Sequence, residues 1–162
     1  MIKFLQHTRP EHVLFDMKAT MKEEALQEML DALVGTGDID PEKAERILGR
    51  ILKREELGST GVGTGFAYPH IKSREIEKSY LVIGRSGKGI DWDALDGNPV
   101  NFAALALVPL TEEDRAASLF SVEMLISVKR VRYGQAMQYL LKSQTQEEFW
   151  ELLEKIDEDI FF

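Results

Sequence analysis

At 162 residues, with no cysteine and a formal net charge of -8 from 28 acidic and 20 basic residues, the chain is sized for one domain, over 1–162, with a sizeable core of its own. The missing thiols exclude disulfides and thiolate metal sites, and the acidic balance speaks against nucleic acid, which wants a basic stripe. No apolar run approaches the ~20 residues that span a bilayer, and the first residues lack the sustained hydrophobic segment of a signal peptide, so a cytoplasmic protein that is not membrane-embedded is expected.

Val13-Leu14-Phe15 is a short apolar run followed by polar residues and reads as a brief strand. Thr20 with Glu23 three residues on reads as a capping box opening a helix, whose inner face is Leu26, Met29, Leu30 and Leu33 at helical spacing. Gly35 and Gly37 end it. Asp40-Pro41 opens a second helix, with Asp40 as N-cap and Pro41 in the first turn, and Ile47, Leu48, Ile51 and Leu52 form its inner stripe. Three strands are expected next: Gly65 to Tyr68, Tyr80 to Arg85, and Phe102 to Pro109. The continuous apolar run Phe102–Val108 suits a strand covered on both faces. Turn signals stand at Gly89 and at Asp96-Gly97. The rest reads as helix: Glu112 to Arg130, Tyr133 to Lys142, and a last helix opened by Thr145 and Glu148, with Phe149, Leu152, Leu153 and Ile156 inward. The fold class is α/β, a mixed β-sheet flanked by helices on both faces.

The segment Ser59-Thr60-Gly61-Val62-Gly63-Thr64-Gly65-Phe66-Ala67-Tyr68-Pro69-His70 carries the chemistry. Alternate glycines let backbone N–H groups approach a phosphoryl group, and two hydroxyls precede them. At the end stands an imidazole, the neutral side chain best able to attack phosphorus at neutral pH and later release the group. Ser59, Thr60, Gly61, Gly63 and Gly65 are therefore candidates to bind phosphate, and His70 to accept it. Ser59 and Thr60 serve equally as turn formers. No metal site is expected. Asp91, Asp93 and Asp96 lack the ligand series and bidentate glutamate of a calcium loop and read as turn and surface residues. His7 and His12 have no partner pattern and read as solvent-exposed, while Met124, Leu125 and Val128 have the spacing of a helix core.

The run from Arg54 to His70, followed by Gly84-Arg85-Ser86, Gly89-Ile90-Asp91-Trp92-Asp93-Ala94-Leu95-Asp96-Gly97 and an apolar strand ending in Val108-Pro109, resembles the IIA component of the phosphoenolpyruvate-dependent sugar phosphotransferase system. Within it the chain is most similar to the mannitol/fructose class (type 2), which includes the nitrogen-regulatory IIA proteins. The resemblance covers nearly the whole chain. It implies a phosphohistidine carrier, not a stand-alone turnover enzyme. A histidine phosphocarrier protein would charge His70, and the group would pass to a IIB subunit or be read by regulatory target proteins. No cofactor is implied. Arg54 would supply positive charge, as the matching arginine is thought to do in the family. It also stands near a helix C-terminus, where a cation meets the dipole favourably in any case.

Two departures from the family pattern follow. The position after Pro69-His70, usually very small, is Ile71, which with Phe66 is a candidate for partner contact or for the core. Relatives commonly carry a second histidine after the Val-Pro strand end. Aligning on Leu119 puts Arg115 there, and a shift of one puts Asp114 there. Arg115 would hold a phosphoryl group by a permanent forked charge, favouring a stored or signalling state, whereas Asp114 would repel the dianion. The absence of a IIB-like segment favours a regulatory phosphoprotein over a sugar relay or a non-phosphorylated binding module. Oligomeric state, regulated target and sugar are not read from these residues.

Overall fold

A computed structural model describes residues 4–110 and 136–158. Six strands form one mixed sheet: β1 (Val13–Leu14), β2 (Gly61–Gly63), β3 (Phe66–Ala67), β4 (His70–Ser73), β5 (Tyr80–Ile90) and β6 (Val100–Pro109). Their order is β1-β5-β6-β3-β2, with β4 also on β6. The described helices are α1 (Lys22–Gly35), α2 (Pro41–Glu55), α3 (Ala136–Lys142) and α4 (Gln146–Asp157), with short 3-10 turns at Phe4–His7 and Pro10–His12.

β5 and β6 form the centre because β6 is apolar but for Asn101 and β5 opens with the apolar run Tyr80–Ile83, and their alternation divides the core in two. Val82, Leu105 and Leu107 face one way, with Leu26, Met29, Leu30, Leu33, Ile47 and Ile51 of α1 and α2. Leu81, Ile83, Phe102 and Ala104 face the other way, with Leu140, Phe149, Leu153 and Ile156 of α3 and α4. The expected α/β sandwich with helices on both faces is what forms.

Local signals at α2 and α4 act as expected. The Lys43 amide donates to Asp40 Oδ1 at 2.7 Å, and the Glu148 amide donates to Thr145 Oγ1 at 3.1 Å. α1 differs. Its N-cap is Met21, with no side-chain cap, and Thr20 is not the capping residue. The backbone of Asp91 takes over that end: the Lys22 amide donates to its carbonyl at 3.0 Å, and its own amide donates to the Thr20 carbonyl at 2.8 Å. A helix start satisfied by a distant backbone group has no need of a hydroxyl cap. The expected helix over Glu112 to Arg130 and the start of the one over Tyr133 to Lys142 lie outside the described residues, as do Met124, Leu125 and Val128.

The strand expected over Gly65 to Tyr68 is part of a longer arrangement. β3 and β4 both run parallel to β6, and their register is continuous: Phe66 pairs with Phe102, Ala67 with Ala103, His70 with Ala106 and Ser73 with Pro109. The two are one line of chain, interrupted at Tyr68-Pro69. Antiparallel β2 covers the outer edge of β3, and the Tyr68 amide donates to the Thr60 carbonyl at 3.0 Å. His70 stands just past the end of that cover.

Candidate functional site

The interruption at Tyr68-Pro69 sets the imidazole. Nδ1 of His70 lies 2.9 Å from the Tyr68 carbonyl oxygen. A carbonyl can only accept, so Nδ1 carries the hydrogen and the lone pair resides on Nε2. Among the described residues no partner engages Nε2, and the ring is half-buried, tilted against the Tyr68 ring with centroids 5.2 Å apart. The Tyr68 side chain is buried, which pushes its phenol well above the ordinary range and keeps it neutral.

α2 runs along β4 in matched steps. The Arg46 guanidinium meets Glu75 at 2.7 Å and Arg50 Nη1 donates to Ser73 Oγ at 2.6 Å. The guanidinium of Arg54 donates to the Gly58 carbonyl at 2.8 Å. Among the described residues Arg54 has no hydrogen bond to His70.

The residues expected to line a phosphate cradle have other engagements. Thr60 is buried: its amide and hydroxyl both donate to the Glu55 carboxylate, the amide at 3.1 and 3.3 Å, and Trp92 Nε1–H donates to its hydroxyl at 3.3 Å. Ser59 Oγ donates to the Trp92 carbonyl at 3.3 Å and accepts from the Gly61 amide at 3.0 Å. Gly61 and Gly63 belong to β2, and Gly63, Thr64 and Gly65, all at positive φ, make its turn into β3. The Thr64 amide donates to Asp96 Oδ2 at 3.0 Å. The run is a β-hairpin pinned to the 91–96 turn. Gly61 is needed for close packing, because a Cβ there would lie 2.9 Å from Ala94 Cβ and 3.0 Å from Trp92 Cδ1.

Other expectations resolve locally. Phe66 is fully buried and stacked on Phe102 with centroids 5.8 Å apart, so it is core and not contact surface. Ile71 is half-buried against the α1–α2 side of the core. Asp91 accepts from the Asp93 amide, and Asp96 accepts from the Asn98 amide, which lowers the Asp96 carboxyl below its ordinary value. His7 is half-buried. His12 is not exposed: it is 3 % accessible, with Nε2 2.8 Å from Thr36 Oγ1 and 3.2 Å from Asp38 Oδ2. Arg115 and Asp114 lie outside the described residues. A groove of about 1020 Å³ between α1 and Asp91-Trp92-Asp93 has none of the candidate site residues in its lining. No described helix is long and apolar enough to cross a membrane.

The family model of the phosphoenolpyruvate-dependent sugar phosphotransferase system, EIIA 2, matches residues 6–156. The chain belongs to this family.

Among relatives of this EIIA chain, a nitrogen regulatory protein of Bradyrhizobium diazoefficiens is 34% identical over 100 residues, covering 62% of this chain and 63% of that protein. A PTS system fructose-specific EIIA component of Haloferax volcanii is 39% identical over 88 residues, covering 54% of this chain and 56% of that one. The chain thus spans less than two thirds of the length of either relative. In fold it is similar to the crystal structure of nitrogen regulatory protein IIA-Ntr from Neisseria meningitidis, with TM-score 0.73 and 22% identity, covering 91% of this chain and 97% of that one.

Proposed function

We propose that this EIIA chain is a cytoplasmic regulatory phosphoprotein: His70 accepts a phosphoryl group on Nε2 from a histidine phosphocarrier protein, and its two states are read by target proteins. The observation that carries this reading is the hydrogen bond from His70 Nδ1 to the Tyr68 carbonyl, with Nε2 left without a described partner. In the transfer, the Nε2 lone pair forms a new N–P bond as the donor's N–P bond breaks, and the donor imidazole keeps that bond's electron pair. The acceptor ring becomes positive while keeping its Nδ1 proton, and the Tyr68 carbonyl stabilises that charge. Arg54, in the last turn of α2, supplies positive charge to the phosphoryl oxygens. The engagement of Thr60 shifts weight from hydroxyls to this arginine, and Arg115 is the second candidate for that charge.

The test is incubation with phosphoenolpyruvate, the system's first enzyme and its phosphocarrier. An acid-labile phosphate should appear, and His70→Ala should abolish it. Uptake by that variant at the wild-type rate would remove the reading. A second reading is favoured by the fructose-specific relative: a relay that passes the group to a IIB subunit. Transfer onward from the phosphorylated protein to a IIB acceptor and a sugar would select it over the regulatory one.

A further inference from the structure

Glu55 stands beside Arg54, yet its carboxylate points inward, with a side chain only 4% accessible. It accepts from Lys22 Nζ at 3.0 Å, from the Thr60 amide at 3.1 Å and from the Thr60 hydroxyl, so a buried charge has a cation and two further donors. The hydroxyl is held on its other side by Trp92 Nε1–H, and Trp92 is fully buried. From Thr60 the connections continue towards the imidazole. Its carbonyl accepts from the Tyr68 amide at 3.0 Å, and the Tyr68 carbonyl accepts from His70 Nδ1 at 2.9 Å.

We infer that Glu55 is a positioning residue for phosphoryl transfer at His70, acting through Thr60 and Tyr68 to hold the carbonyl that fixes the imidazole tautomer. The inference rests on the proposed role of His70 as phosphoacceptor. At both Thr60 and Tyr68 the N–H and the C=O belong to different peptide units, so no continuous polarised chain runs from carboxylate to imidazole. The coupling is mechanical. Glu55 fixes where Thr60 lies, Thr60 fixes the end of the hairpin against Tyr68, and the Tyr68 carbonyl then meets the ring edge-on. The arrangement does for this histidine what a buried aspartate does in a catalytic triad, with backbone in place of a second acid. Lys22 joins the same carboxylate to the start of α1, so one ion pair ties both helices to the site's supporting hairpin.

The test compares wild type, Glu55→Gln and Glu55→Asp by ¹⁵N chemical shifts of the His70 ring in slightly alkaline buffer, and by the initial rate of phosphoryl uptake. Wild type should show the Nδ1–H tautomer. Glu55→Gln should show a mixture of tautomers and an uptake rate lower by roughly ten- to a hundredfold, the scale on which small misplacements act. Glu55→Asp should recover part of both. Should Glu55→Gln fail to fold, Thr60→Val, which keeps the amide donor and loses the hydroxyl, should show the same direction of change. A glutamate with a merely structural role would lower the melting temperature and leave tautomer and rate per folded molecule unchanged, and that result overturns the inference. Wild type that takes no phosphate on His70 would instead defeat the phosphoacceptor reading, while the tautomer comparison would still report on the clamp.

Discussion

Arg50 donates to the Ser73 hydroxyl at 2.6 Å, and this bond sets the register of α2 against β4 one helical turn before Arg54. Arg54 is proposed to supply charge to the phosphoryl group on His70. Arg54→Ala should slow phosphoryl uptake about a hundredfold, the scale set by removing one charge-stabilising donor. The melting temperature should change little, because the lost bond goes to the exposed Gly58. Arg54→Lys, which keeps the charge without the fork, should recover only part of the rate. Full activity in Arg54→Ala would remove the arginine from the site.

Gly61 separates two accounts of the glycine run. A Cβ there meets Ala94 and Trp92 within about 3 Å, so Gly61→Ala should cost about 1–3 kcal/mol of stability in urea unfolding. A Gly61→Ala protein of unchanged stability that had lost only its phosphorylation rate would return this residue to an anion-binding role.

His12 gives the fold an acid sensitivity. Burial, then the nearby Arg9 charge, hold its pKa below the ordinary 6.5, against the raising effects of Asp38 and Glu11. The folded state therefore binds a proton at His12 less readily than the unfolded chain does. The associated stability is complete above pH 6.5 and is lost as pH falls through the depressed folded value. Asp38, whose own pKa is lowered chiefly by Thr36, loses its contribution only at more acidic pH. His12→Asn should flatten the fall in stability just below neutrality, measured by urea unfolding at a series of pH values. An unchanged slope would place the sensitivity elsewhere, with His7, also lowered by burial, the next group to replace.

What the sequence revealed and concealed follows from the range of the interactions. β6 was legible because a continuous apolar run needs cover on both faces, and α2 because Asp40-Pro41 is a local signal. β2 was hidden because Gly61-Val62-Gly63 carries a single side chain and is fixed by pairing with β3. Thr20 was misread because the groups that satisfy the start of α1 come from Asp91, far along the chain. The role of Glu55 was not legible, because its carboxylate meets Lys22, 33 positions away. His12 was misread for the same reason, since Thr36 and Asp38 enclose it only in three dimensions. Of the candidate site, the imidazole and its proline were visible, whereas the carbonyl that sets the tautomer was not.

The most direct measurement is NMR of the protein after phosphorylation by phosphoenolpyruvate, the first enzyme and the phosphocarrier, with ³¹P and ring ¹⁵N shifts locating the new bond. A single phosphohistidine on Nε2 of His70, with Nδ1 still protonated, is the expected result. Phosphate on Nδ1, or on any other residue, would contradict the account.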